Sequence, residues 1–414
     1  MKGVITFILL LIFTCSYGQT DRYKTLLDSA KALFKSDEHF NQVQLDSFDY
    51  TKVVALWEEV VRLDPNDPEA RYFLGYAYDR SNSRDGRGII DMDVQLVLKT
   101  SVEFEKVIAL APHYTGEKIV LDPYSKLTAV WGTMAMNYIY HNKIDSALWA
   151  FREGKKRGGF SEVILAMNKL ALDQCSENSI LISSGDNFTV PLWYLQNVEG
   201  YRKDVSVVDV NMLNTVWYPR FIAENGNVYF DMPLADIDTI EYIPWTERMI
   251  NINDFSWLVK PAYYDTYLLR GDRVFLSLLK QNAFKRDLFF TVNFSEEARL
   301  SLGEFLSSYV YADKLTIKKK QVLSYKKYKT TITHVLELAP QLTLNKPDEM
   351  MIFDYYRLSL LSQANQFVNT DKRTEARGLL SLLDQYCDED KLPYSFKDSK
   401  LYATYIRSRV GIEK

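Results

Sequence analysis

Between Tyr50 and Tyr140 apolar side chains recur every three or four positions, the spacing that collects them on one side of an α-helix; VVALWEEVVRL and VEFEKVIAL show it most clearly. Pro65 and Pro112 follow these two stripes as helix terminators. Leu74-Gly75-Tyr76-Ala77-Tyr78 opens a further helix, and its partner is delayed by Ser81 to Asp93, a Ser-, Arg-, Asp- and Gly-rich stretch that reads as an inserted loop. Small and large residues then recur at fixed offsets in Trp131, Ala135, Tyr138, Ala147, Phe151 and Gly154. Leu360, Ala364, Phe367, Ala376 and Leu380 repeat the first five of these offsets further along. The spacing predicts antiparallel helix pairs, because small residues let two helices approach while aromatic rings fill the space beside them.

These offsets resemble those of TPR proteins, whose helix-turn-helix repeat is about 34 residues long. That resemblance implies a protein- or peptide-binding scaffold without chemistry of its own. From about residue 176 the period changes to short β-rich runs at Ile180 to Ser184, Val205 to Val210 and Leu288 to Val292. Helices are expected between them, from Pro191 to Tyr201 with Asn187 or Thr189 as the cap, from Trp217 to Asn225, and from Asp272 to Asn282. Asn227 to Tyr267 is less regular and reads as short strands and long loops. Strand, helix, strand in this order implies a parallel sheet with right-handed crossovers. The expected architecture is therefore α/β plus all-α, with TPR-like helical hairpins flanking a three-layer domain that has a mainly parallel sheet. The units are a helical domain at 19–174, an α/β domain at 175–313, a lysine-rich connector or hairpin at 314–345 and a C-terminal helical hairpin at 346–414.

A chain of 414 residues exceeds one ordinary domain, which fits two or three such units. The 28 Tyr and 7 Trp are spread along the chain, as expected of rings that pack between helices. A net charge of -4 gives no reason to expect a nucleic-acid partner. One stretch departs from this balance. Lys314, Lys318, Lys319, Lys320, Lys326, Lys327 and Lys329 crowd together, either as a solvated hairpin or loop or as an anionic contact.

Lys2 and the apolar run Val4 to Thr14 form an export signal too short to serve as a membrane span. Small residues at Ser16 and Gly18 favour cleavage before Gln19, with acylation of Cys15 as the alternative. No later segment is apolar enough to cross a bilayer, so peripheral or lipid-anchored association with a membrane stays open. Cys175 and Cys387 would remain after cleavage, as one bridge or as two buried thiols.

In an open parallel sheet ligands gather at the carboxyl ends of the strands, and the first strand runs straight into Ser184-Gly185-Asp186-Asn187. Gly185 permits a tight turn there, and Asp186 and Asn187 offer polar groups at a helix start. Asn211 and Asn214 would reach the same rim, with Trp193, Arg202 and Trp217 nearby. The bland alternative is that these Asp and Asn side chains only cap helices and turns. Catalytic and metal signatures are missing: His39, His113, His141 and His334 are isolated, and no HExxH, paired CxxC, phosphate-binding glycine loop or nucleophile elbow is present. No metal or cofactor is expected.

The stretch GDNFTVPLWYLQNVEGYRKDVSVVDVNMLNTVWYPRFI resembles the soluble region of bacterial membrane glycosyltransferases related to protein O-mannosyltransferases. LLRGDRVFLSLLKQNAFKRDLFFTVNF and the closing hairpin ending in LPYSF extend the likeness, from roughly Cys175 to Phe396. In that family the catalytic apparatus is expected in a multi-helix membrane portion that this sequence lacks, so catalysis does not carry over. What the resemblance implies is a periplasmic module. The expected role is an exported scaffold or adaptor of the bacterial cell envelope, periplasmic or outer-membrane associated, binding envelope proteins and linked to glycoprotein or glycan handling. The alternative is a glycan-binding or glycosyltransferase-accessory domain, with its ligand held at Asp186, Asn187, Trp193, Arg202, Asn211 and Trp217.

Overall fold

The computed structural model describes residues 22–34, 50–261, 263, 265–294, 299–318 and 323–412. The export signal, the cleavage before Gln19, the acyl site at Cys15, His39, Lys319 and Lys320 lie outside the described residues.

The described chain opens with helices α1 (22–34), α2 (Tyr50–Leu63), α3 (Pro68–Ser83), α4 (Val94–Leu110), α5 (Pro123–Tyr140), α6 (Ile144–Lys156) and α7 (Glu162–Gln174). α2 and α4 stop just before Pro65 and Pro112, where the missing N–H and restricted backbone of proline end a helix. Asp67 starts α3 by accepting from the Glu69 and Ala70 amides at 2.7 and 3.1 Å. With Pro68 at the first helical position this cap contributes about 1 kcal/mol. Trp57 of α2 stacks on Phe73 of α3 at 4.8 Å, filling the seam between the paired helices.

β1 (Ile180–Ser183), α8 (Asp186–Val198), β2 (Ser206–Asp209), α9 (Trp217–Asn225), α10 (Leu234–Asp238), β3 (Ile243–Pro244), β4 (Arg248–Ile252), β5 (Phe255–Val259), β6 (Tyr267–Leu268), α11 (Arg270–Asn282) and β7 (Leu288–Thr291) follow. β1 lies between β2 and β7 and is parallel to both, with Ser183 opposite Asp209 and Ile182 opposite Phe290. The chain therefore steps from β1 to one side and returns to the other, and right-handed crossovers put α8 and α9–α11 on opposite faces. Every residue of β1 and β7 is buried, as expected of strands covered on both faces. The three core strands are parallel, as their pattern predicts. Two further strands, β8 (Leu306–Ser308) and β9 (Ala312–Leu315), escaped that pattern and extend the sheet antiparallel to the order β2-β1-β7-β9-β8.

The C-terminal unit contains α12 (Tyr325–Leu336), α13 (Pro347–Asn369), α14 (Arg373–Tyr386) and α15 (Lys397–Val410). The stretch read as a connector or hairpin thus carries a helix, started by Ser324, whose hydroxyl accepts from the Lys327 amide. The two repeats found by spacing are helix pairs, α5 with α6 and α13 with α14, and Ala135, Ala147, Ala364 and Ala376 are fully buried between them or nearly so. Gly154 lets α6 close on α5: a Cβ there would come within 2.5 Å of Trp131 Cβ. The same offset in the second pair is Leu383, buried opposite the smaller Leu360. Trp with Gly and Leu with Leu fill equivalent space in different ways.

Three apolar cores result. One joins α1–α4, a second joins α5 and α6 to the sheet, and a third joins α7 to the C-terminal helices. Each boundary between units is therefore crossed by helices that pack on both sides. Among the described residues no helix is long and apolar enough to cross a membrane. Cys175 and Cys387 are free and buried, and burial pushes their thiols up to about 12 and about 11.

Candidate functional site at the carboxyl rim of the sheet

β1 delivers Ser183 and Ser184 to the rim, and Gly185 turns the chain into α8 with φ +80, a conformation that a side chain would strain. α8 begins at Asp186, five residues earlier than the proline pattern predicts, so Asn187 and Thr189 lie inside its first turns instead of capping it. Pro191 sits inside the helix and cannot donate to the Asn187 carbonyl. Asn168 of α7 takes over, its side-chain amide donating to that oxygen at 3.3 Å and to the Ile164 carbonyl at 3.0 Å.

The side chains of this turn tie α8 to α5 of the helical unit and to β1 and β2 of the sheet. Asn187 Nδ2 donates to Ser125 Oγ of α5 at 2.8 Å, and Ser125 in turn donates to Asp122 at 2.5 Å. Thr189 donates to Asp209 at the end of β2 and lies 2.8 Å from the Ser183 hydroxyl. Asp209 also accepts from the Asn211 and Met212 amides at 2.8 and 3.0 Å. Burial pushes its carboxyl up to about 6; the bonds from Thr189 and the amides restrain the rise, and the nearby Asp186 adds to it.

Asp186 is the exception. It is half-buried, and among the described residues its carboxylate has no hydrogen-bond partner. Burial raises its pKa, Lys126 opposes the rise and Asp79 reinforces it. Lys126 Nζ is itself paired with Asp79 at 2.5 Å and lies 4.6 Å from the centroid of the Tyr76 ring. Two carboxylates and one ammonium from α3, α5 and α8 therefore meet where the N-terminal helices cover the sheet.

The other expected site residues divide. Asn211 reaches the rim and donates to Ser184 Oγ at 3.2 Å, and Asn214 accepts from the Gly271 amide at 2.7 Å. Trp217 is buried, donating from Nε1 to the Gly86 carbonyl at 3.1 Å and meeting Tyr140 edge-on, so it ties α9 to the first helical unit. Trp193 stands two turns along α8 from Asp186, about 10 Å away, inside the apolar core. Arg202 is at the opposite rim. It precedes β2, and its guanidinium donates to the Leu172, Cys175 and Ser176 carbonyls and pairs with Asp204 at 2.8 Å. A strand of four residues, roughly 13 Å, separates it from Asp209. It lines a shallow surface groove of about 490 Å³ with Cys175, Glu177, Asn178 and Asp204.

Sequence reasoning missed Asp209, Lys126, Asp79 and Ser125. Asp209 left a signal, because a carboxylate closing an otherwise apolar strand must find partners away from water. Lys126 and Asp79 left none, since only the packing of distant helices brings them to the rim. Among the described residues no group of three or more His, Cys, Asp or Glu is placed to hold a metal ion. His113 and His141 donate singly to the carbonyls of Leu344 and Ile90.

The family model described as TMEM260-associated domain 2 matches residues 164–228, the span from α7 through α9 that builds this rim. That span includes the Gly185 to Ile222 stretch singled out in the sequence. No curated protein and no solved structure matches the chain.

Proposed function

We propose that this protein is an exported scaffold of the bacterial cell envelope, in which TPR-like helix pairs bind partner proteins and the α/β domain braces them. The observation that carries this reading is how the rim residues are used. Asn187, Trp217 and Asn211 are spent on bonds within and between units. Gln174 does the same work on the C-terminal side, accepting from the Tyr311 and Ala312 amides at 2.6 and 2.9 Å. A domain braced at these points holds its helix pairs at fixed angles, which is what a binding surface on them requires.

The α5–α6 pair offers such a surface. Trp149 is 44% exposed, yet its ring is held edge-on by Trp131 at 5.5 Å and by Tyr138 at 6.5 Å. An indole already fixed in place loses little entropy on binding, the property of an interface anchor. A photo-crosslinking residue in place of Trp149 should trap a defined envelope protein in intact cells. The control is the same residue at exposed Asp254, in the turn between β4 and β5. Equal labelling from both positions would remove the reading.

A further inference from the structure

Helix α12 begins against its own dipole. Its N-terminal turns carry Lys326, Lys327 and Lys329 and no acidic residue, although the partial positive charge of a helix start favours anions. All three lysines are exposed, as is Lys318 just beyond β9. Among the described residues no carboxylate comes within ion-pairing distance of these four. Neighbouring Lys314, by contrast, meets Asp287 at 2.7 Å. From Lys314 to Leu336 the sequence holds seven lysines and no Asp, Glu or Arg, in a chain whose net charge is -4. Charge of one sign that meets tyrosine rings but no carboxylate, set where the helix itself repels it, is retained at a cost that an external anion would offset.

We propose that Ile317, Lys318 and the Lys326, Lys327 and Lys329 turn of α12 form a face that docks on an anionic lipid surface. Charge complementarity gives the sign of the partner, and the residue types give its kind. Lysine is a flexible point charge without the planar fork with which arginine reads a shaped carboxylate or phosphate, so an all-lysine face suits a diffuse layer of headgroups. Ile317 is 55% exposed beside Lys318 and supplies an apolar contact at headgroup depth. Half-buried Tyr309 and Tyr325 lie 5.8 Å beneath the Lys327 and Lys329 ammonium groups, amphipathic rings of the kind that sit at headgroup level.

Co-sedimentation of the full chain with vesicles tests this, comparing phosphatidylglycerol mixed into phosphatidylcholine with phosphatidylcholine alone. The Lys326→Gln/Lys327→Gln/Lys329→Gln variant shares the N-terminus, so any apolar anchoring there is common to both proteins. Each lysine near an anionic surface is worth about fivefold in partitioning, so the triple variant should bind the mixed vesicles about a hundredfold more weakly. Binding of the wild type should fall as salt shortens the Debye length from about 10 Å at 0.1 M to about 3 Å at 1 M. The variant should unfold at no lower temperature than the wild type, because its changes relieve the clash with the dipole. Equal binding to both vesicle types, equal binding by variant and wild type, or loss of a co-purifying acidic protein without any vesicle binding would each overturn the assignment.

Discussion

Two aspartates mark the ends of β2, and their surroundings push them in opposite directions. Asp204, before the strand, hydrogen-bonds to the Arg202 guanidinium and is held down to about 2. Asp209, at the far end, is removed from water with neutral donors only and is pushed up to about 6. Four residues of strand separate a rim closed by an ion pair from a rim closed by a strained carboxylate. The difference teaches where charge is tolerated in this domain. At the amino rim the guanidinium ties down loop carbonyls and its charge is matched; at the carboxyl rim α8 and the ends of β1 and β2 meet over a charge that burial disfavours.

The largest test concerns Asp209. Its folded pKa is raised, so its contribution to stability is complete below the ordinary value near 3.8 and is lost as pH rises through about 6. A rise of roughly two units corresponds to about 3 kcal/mol. Asp272, which burial also pushes up to about 6, adds a decline of the same sign. In Asp209→Asn the amide oxygen still accepts from the Asn211 and Met212 amides, and no charge is buried. Urea midpoints measured from pH 4 to 8 should fall for the wild type and fall distinctly less for the variant, which should be the more stable protein at neutral pH. An unchanged slope would mean that the Asp209 carboxylate is hydrated.

At the other rim the sign reverses. The folded pKa of Asp204 is depressed, so its contribution is present above the ordinary value and is lost as pH falls toward about 2. Arg202→Ala removes the cause together with donors to the Leu172, Cys175 and Ser176 carbonyls. The expected loss is roughly 1–3 kcal/mol at neutral pH, measured by urea unfolding, because water replaces only part of what the guanidinium supplies. The variant should also lose the acid sensitivity that Asp204 confers. A loss that persists in full at pH 2 would assign the role of Arg202 to the carbonyls alone.

The two rims also show how far sequence reasoning reaches. The β1, β2 and β7 runs and the bounds of α9 were legible because short apolar stretches and an amphipathic stripe carry their own period. The strands β8 and β9 were not, since three or four residues at a sheet edge are too few to display alternation. The start of α8 was misplaced because Pro191 looks like a first-turn proline, and only Asn168, from another helix, makes it tolerable inside. Arg202 lies at the opposite rim from the one its place in the Gly185 to Ile222 stretch suggests, because in a parallel sheet residues before a strand and residues after it lie at opposite ends. The small residues at Ala135, Ala147, Ala364 and Ala376 were legible because helix contact constrains size at fixed offsets, whereas the Lys126–Asp79 pair obeys no local rule.

The smallest expected effect separates a true cluster at the carboxyl rim from neighbours that merely share an edge. Asp186 reinforces the upward shift of Asp209 through its charge, without a bond between them. Asp186→Asn removes that charge, so the midpoint of Asp209 should move down by a fraction of a pH unit. Stability at neutral pH should be kept or slightly raised, because among the described residues Asp186 has no hydrogen bond to lose. Carbon-13 NMR of the side-chain carboxyls can follow the shift, with the Asp209 resonance identified by its absence in Asp209→Asn. Lys126 decides how large the change can be: its ammonium favours the charged form of Asp186, so Lys126→Met should leave Asp186 less ionised and weaken the coupling. If Asp209 titrates at the same pH in wild type and in Asp186→Asn, the two carboxylates do not share one field, and Asp186 belongs to the surface instead of to the braced rim.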